Sequence, residues 1–178
     1  VDDPRIAFLE DAGIPFVVHG RESAHATYSH YDINNHAVTG DAVNLLVALG
    51  HRRIALINGP QHHAYAADRL NGYAASMASY GLEAISASDA TKESHGYTKA
   101  LGMLAAQIAP TAFICSSTIL ASGVLRAVSD RGFSVPGDVS VIAHDDALPL
   151  TQALDFEPAL TVTRAPLRDA CEPLAGLL

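Results

Sequence analysis

Cysteine is scarce in this 178-residue chain. It occurs only at Cys115 and Cys171, 56 positions apart, which fits neither a disulfide framework nor the close spacing of a zinc site. Cys115 lies in the apolar run TAFIC and reads as a buried, reduced thiol. Long apolar runs are lacking too: none approaches the ~18 residues of a membrane-spanning helix. Basic residues are outnumbered, 11 Lys and Arg against 19 Asp and Glu, for a net charge of −8. That balance argues against this stretch gripping a nucleic-acid backbone itself, which needs a basic face. No glycine-rich phosphate loop follows any predicted strand, no G-x-S-x-G elbow presents a serine nucleophile, and no H-E-x-x-H motif offers zinc ligands. No signal peptide is visible. The opening VDDPRIAFLEDAG reads like the middle of a helix, so the natural amino terminus is expected upstream.

What is present is hydrophobic material in quantity, 49% of residues, enough for a well-buried core. It falls into short strand-like runs: IPFVVH (14–19), SHYDI (29–33), RIALIN (53–58), AIS (84–86), TAFICS (111–116), VSVIAH (139–144) and LTVTR (160–164). Most are continuously apolar rather than alternating, as parallel strands buried on both faces are. Between them lie helical stripes: Ala42, Leu45, Leu46 and Leu49; Leu70, Tyr73, Met77 and Tyr80; Leu101, Leu104, Ala105 and Ile108; Leu120, Val124 and Val128. Gly13, Gly50, Gly81 and Gly132 directly follow helical runs, where a left-handed residue closes a helix. The rhythm of strand, helix, glycine, strand predicts an α/β fold, an open parallel sheet with helices on both faces.

Ligands of such sheets bind beyond the carboxyl ends of the strands. The residues there are Gly20 and Arg21, then Asn34 and Asn35, then Gly59 to Arg69, then Ser116 to Thr118, then Asp145 and Asp146. They bring acceptor-only carboxylates, a donor-only guanidinium from Arg69 or Arg21, the hydroxyls of Tyr65, Ser117 and Thr118, and the imidazoles of His62, His63 and His144. Such a mixture suits a polyhydroxylated ligand, whose hydroxyls both donate and accept. The stretch SVIAHDDAL also admits a metal or catalytic reading through His144 and the two carboxylates. Simple structural roles compete with both: Asp146 as a helix cap, His51 complementing a helix terminus, Arg52 and Arg53 at the wrong end of their strand, and the histidines at 25, 30, 36 and 95 on the surface.

The segments ALGHRRIALINGP (48–60), ADRLNGYAASMASYGL (67–82), PTAFICSS (110–117), RGFSVPGDVSVIAHDD (131–146) and PALTVTRAP (158–166) stand in the order seen in the LacI/GalR family of bacterial transcription regulators. The chain resembles that family's effector-binding core, of the periplasmic-binding-protein-like type I fold, over essentially its whole length. The resemblance implies two α/β subdomains with the effector between them. Residues 1–34 would be the remnant of the first, 35–160 the second, and 161–178 the crossover back. It further implies a cytoplasmic, non-enzymatic, dimeric repressor without a cofactor or metal. Its effector, a carbohydrate on this reading, would control operator DNA bound through a helix-turn-helix domain that this chain does not contain. The alternative is the sugar-binding protein of a transporter, with the same fold. Carried over position by position, Arg69 and Asp145 would bind effector hydroxyls, with His63 and Tyr65 from the loop after GP, and Gly20 and Arg21 from the first subdomain. Ser117 joins them, although Ser117-Thr118 replaces the family's usual Asn-Asp. Asn34-Asn35 and Ala143-His144 also depart from the pattern, so the ligand's identity does not transfer.

Overall fold

The computed structural model describes residues 3–22, 26–145 and 152–178. Helix α1 (Pro4–Asp11) is not entered midway, contrary to the sequence pattern. Asp3 caps it by accepting from the Arg5 amide at 3.0 Å, and proline stands in the first turn, where no N–H is needed. A small parallel pair follows, β1 (Val18–His19) with β2 (His30–Tyr31).

Five further strands form the main sheet: β3 (Ile54–Asn58), β4 (Ile85–Ser88), β5 (Ala112–Cys115), β6 (Ser140–Asp145) and β7 (Thr161–Arg164). They lie in the order β4-β3-β5-β6-β7, and every pairing is parallel. The open parallel α/β architecture expected from the sequence is thus present. Helices α2 (Asn35–Ala48) and α3 (Ala64–Ser79) cover one face; α4 (Glu93–Leu104) and α5 (Thr118–Asp130) cover the other. Alternate side chains of each strand enter opposite cores. Ala55, Ile57, Phe113, Cys115, Val141 and Ala143 pack with α4 and α5, while Ile54, Leu56, Ala112, Ile114 and Ile142 pack with α2 and α3. Both sets are buried, which is why these runs read as continuously apolar.

Each helix pair crosses on a glycine. A Cβ on Gly72 of α3 would sit 2.0 Å from the His36 carbonyl oxygen of α2, and one on Gly123 of α5 would sit 2.0 Å from that of Glu93 in α4. The buried faces differ in part from the stripes expected from the sequence. In α2 the buried residues are Asn35, Thr39, Gly40, Ala42, Val43 and Leu46, whereas Leu45 and Leu49 are exposed. In α3, Tyr73 and Met77 are buried but Tyr80 is exposed. Helix α4 ends at Leu104, leaving Ile108 outside it and exposed. Only the α5 stripe of Leu120, Val124 and Val128 is buried as expected.

The Tyr73 hydroxyl donates to the carbonyls of Ile54 and Ile85 and accepts from the Ile85 amide, pinning α3 to β3 and β4. Gly13, Gly50, Gly81 and Gly132 all have positive φ, which closes the preceding helices at no Cβ cost. After β7 come a 3₁₀ turn (Leu167–Ala170) and helix α6 (Cys171–Leu177).

Candidate functional site

The strand order determines where a crevice opens. The chain runs from β3 outward to β4, then returns to the other side of β3 as β5. The loops leaving β3 and β5 therefore diverge, and the gap between them is the natural ligand position of an open sheet. A cavity of about 620 Å³ lies there, within the usual range for small-molecule sites. One wall comes from the β1–β2 unit through His19, Gly20, Tyr31 and Asp32. The opposite wall comes from the start of α2 through Asn35 and from the loops and helices after β3, β4 and β5 through Tyr65, Arg69, Thr91, Ser116 and Ser117. The end of β7, through Arg164, and the segment after it, through Leu167 and Asp169, close the third side.

Arg69 is the buried anchor of the cavity, 4% exposed. Its Nε donates to Asn35 Oδ1 at 2.9 Å and its Nη1 to the Ser116 carbonyl at 2.7 Å. Its guanidinium carbon is 5.1 Å from the centre of the Tyr65 ring, within cation–π reach. Tyr65 also stacks on His63, with centroids 5.6 Å apart and planes 15° from parallel. The Ser117 hydroxyl oxygen accepts from the Leu120 amide at 3.2 Å as the cap of α5, so its proton can still be donated into the cavity.

Four of the seven candidates from the sequence line the cavity: Gly20, Tyr65, Arg69 and Ser117. Three do not. His63 is an exposed residue before α3, behind Tyr65, with its imidazole lowered by desolvation and by neighbouring His62. Asp145 is 2% exposed at the end of β6; its backbone carbonyl accepts from Ala165 of the cavity wall at 3.3 Å. Arg21 is ion-paired to Asp68 and lies 3.7 Å from Asp32. Asp146 lies outside the described residues.

His144 is 2% exposed, with Nδ1 3.0 Å from the Thr163 hydroxyl, so it ties β6 to β7. His51 closes helix α2 through its backbone, its amide donating to the Leu46 carbonyl at 2.9 Å, while its ring bridges the hydroxyls of Thr111 and Ser140 at 2.9 and 3.0 Å. His95 is buried rather than superficial, with Nδ1 3.6 Å from Asp89. Among the described residues no group of three or more His, Cys, Asp or Glu side chains could hold a metal ion. Among them, too, no helix is long and apolar enough to cross a membrane.

Asp32, Asn35, Thr91 and Arg164 also line the cavity and were not among the candidates. Arg164 had a visible signal, because it ends the predicted strand LTVTR as the other rim residues end theirs. Thr91 had none, since the polar turn after β4 looks like any surface loop.

A cleft between a parallel α/β sheet and a second small sheet, lined by mixed donors and acceptors around a buried arginine, is the arrangement of a periplasmic-binding-protein-like domain. Residues 43–178 match the model of the periplasmic binding protein-like domain, and the chain belongs to that family. Its relatives are LacI-type regulators. It is 42% identical over 181 residues to the HTH-type transcriptional regulator AglR of Rhizobium meliloti (strain 1021), covering 99% of this chain and 51% of that protein. A regulatory protein of the LacI family from Chloroflexus aggregans superimposes with a TM-score of 0.89 at 29% identity, over 99% of this chain and 64% of that one. The lac repressor dimer bound to operator and the anti-inducer ONPF does so with 0.83 at 26%, over 99% and 55%. The chain spans about half the length of the curated relatives it matches. These relatives are transcription regulators, not enzymes.

Proposed function

We propose that this chain is the effector-sensing part of a cytoplasmic, dimeric LacI/GalR-type regulator. Residues 1–34 belong to the first subdomain, 35–160 to the second, and 161–178 cross back. The effector is a neutral sugar or glycoside held in the cleft, and its binding favours one orientation of the subdomains. That differential affinity shifts the population competent to bind operator DNA through a helix-turn-helix domain outside this chain. The observation that carries this reading is the buried, oriented Arg69 at a cavity lined by hydroxyls, an amide and carboxylates. A buried guanidinium held in a fixed fork suits vicinal hydroxyls, because it donates without reorganising.

The charge balance supports a neutral ligand over a phosphorylated one. The guanidinium groups of Arg21, Arg69 and Arg164 are offset by the carboxylates of Asp32, Asp68, Asp145 and Asp169 in and around the cavity. An anionic ligand would therefore meet no net positive field. On this reading Asp145, buried just behind the wall at the end of β6, is assigned the role of acceptor for ligand hydroxyls.

Calorimetric titration of the intact protein with a panel of neutral mono-, di- and trisaccharides, alongside glucose 6-phosphate, tests this. A neutral saccharide should bind. Arg69→Ala and Asp145→Asn should each weaken it by roughly ten- to a hundred-fold, the scale of about 1.5–3 kcal/mol for a hydrogen bond to a charged group, with operator affinity unchanged. Unchanged sugar affinity in both variants, or binding of the phosphate alone, refutes the assignment.

A further inference from the structure

Arg21 follows β1 and Gly20 on the small-sheet side of the cleft, yet its partner Asp68 belongs to α3 on the opposite side. On its own side, Arg21 Nε lies 3.7 Å from Asp32 Oδ2. The other oxygen of Asp32 accepts from the Ile33 amide at 2.9 Å and from Asn35 Nδ2 at 3.1 Å. Asn35, 3% exposed in the first turn of α2, turns its amide oxygen to Arg69 Nε at 2.9 Å. Arg69 is the next residue after Asp68 in α3. The contacts therefore form a closed ring: Asp68, Arg21, Asp32, Asn35, Arg69 and back through one peptide bond.

Each member leaves its neighbour little choice. Asn35 has one donor end and one acceptor end, and the ring uses each for the partner of matching type. Asp32 is held on one oxygen by two N–H groups, which leaves the other for Arg21. The Arg21 and Asp68 side chains are 21% and 26% exposed, so their pair is only partly shielded from salt. Arg21 is the member that crosses the cleft. It reaches Asp68 only when the β1–β2 unit and α3 stand at their present separation.

We infer that Arg21 and Asp68 are positioning residues that couple closure of the cleft to the aim of Arg69, and that Arg21 does not itself read the ligand. Opening the cleft breaks the Arg21–Asp68 pair, frees Asp32 and Asn35, and lets the Arg69 fork swing. The inference rests on the cleft being the ligand site, but its test needs no ligand and so fails or succeeds independently of the sugar assignment.

Two measurements on the intact protein decide it. The radius of gyration from small-angle X-ray scattering should rise in Arg21→Gln and Asp68→Asn, and in the wild type at 1 M NaCl. By NMR, the Arg69 Nε–H should exchange with solvent at least tenfold faster in both single variants. A merely stabilising surface pair would lower the melting temperature and leave both readouts in place. An unchanged radius or an unchanged Nε–H exchange in both single variants overturns the inference. If Arg21→Gln does not fold, Asp68→Asn and the salt series carry the same test.

Discussion

Gly72→Ala probes the contact on which both the α2–α3 packing and the site depend. In an ordinary helix interior the change is favourable by about 1 kcal/mol, because alanine is the better helix former. Here the added Cβ would meet the His36 carbonyl oxygen at 2.0 Å and its carbonyl carbon at 2.8 Å. Ordinary contact begins at 3.4 Å, so against the 2.0 Å oxygen the helices must part by roughly 1.4 Å. The obstacle is backbone and cannot turn aside as a side chain would. A gap of even ~0.5–1 Å forfeits a quarter to a half of each dispersion contact, and this interface holds Val43, Leu46, Tyr73 and Met77. Overpacking of this kind costs roughly 1–3 kcal/mol, occasionally more. Because the obstacle is backbone, the upper end of about 3 kcal/mol applies, and subtracting the propensity gain of about 1 kcal/mol leaves a net loss of about 2 kcal/mol. Urea unfolding followed by circular dichroism measures it. Gly102→Ala in α4 is the control: nothing lies within 4 Å of its added Cβ, so it should gain up to about 1 kcal/mol. His36 adjoins Asn35, so Gly72→Ala should also loosen the hydrogen bond to Arg69. If Gly72→Ala equals or exceeds the wild type in stability, the close helix crossing is refuted.

Two histidines, His51 half-buried and His95 buried, should give the chain an acid-sensitive stability. Burial lowers His51 and His95; at His95 Asp89 opposes the shift and Lys99 adds to it. The unfolded chain then takes up protons near pH ~6.5 while the native chain does not, so stability is full above that pH and declines below it. The urea midpoint should fall between pH 7.5 and 5.5, and less so in His51→Gln; an equal slope in the two proteins would exclude this role for His51. The two thiols should differ sharply. Cys115 is fully buried with its thiol pushed far up by desolvation, whereas Cys171 is exposed. Peptide mapping after native alkylation should find Cys171 modified and Cys115 protected until urea is added; rapid native labelling of Cys115 would contradict the close packing of β5.

Much of the site was legible because strand ends and polar residues coincide in sequence. Arg69, Tyr65, Ser117 and Gly20 each follow a recognisable strand, and the topology gathers such ends on one rim. Asn35 was legible as a position but not as a role, since an asparagine at a helix start looks like a cap. Asn34 is the cap, accepting from the Ala37 amide at 3.0 Å, and Asn35 serves Arg69. The Arg21–Asp68 pair was not legible, because nothing nearby in sequence announces Asp68, 47 residues away. The helix stripes were misjudged for the same reason. Periodicity gives the existence of an apolar face, while packing partners far away in the chain decide which of its residues are covered.

By itself, the sequence determined the alternation of strands and helices, the parallel sheet buried on both faces, the helix-closing glycines and the family. These follow from local periodicity, from backbone sterics and from motifs contiguous in the chain. The tertiary structure alone decided the strand order that opens the cavity between the loops after β3 and β5, the burial of Arg69 and His95, and the ring from Asp68 through Arg21, Asp32 and Asn35 to Arg69. Those depend on distances between residues far apart in the chain, which no local pattern encodes.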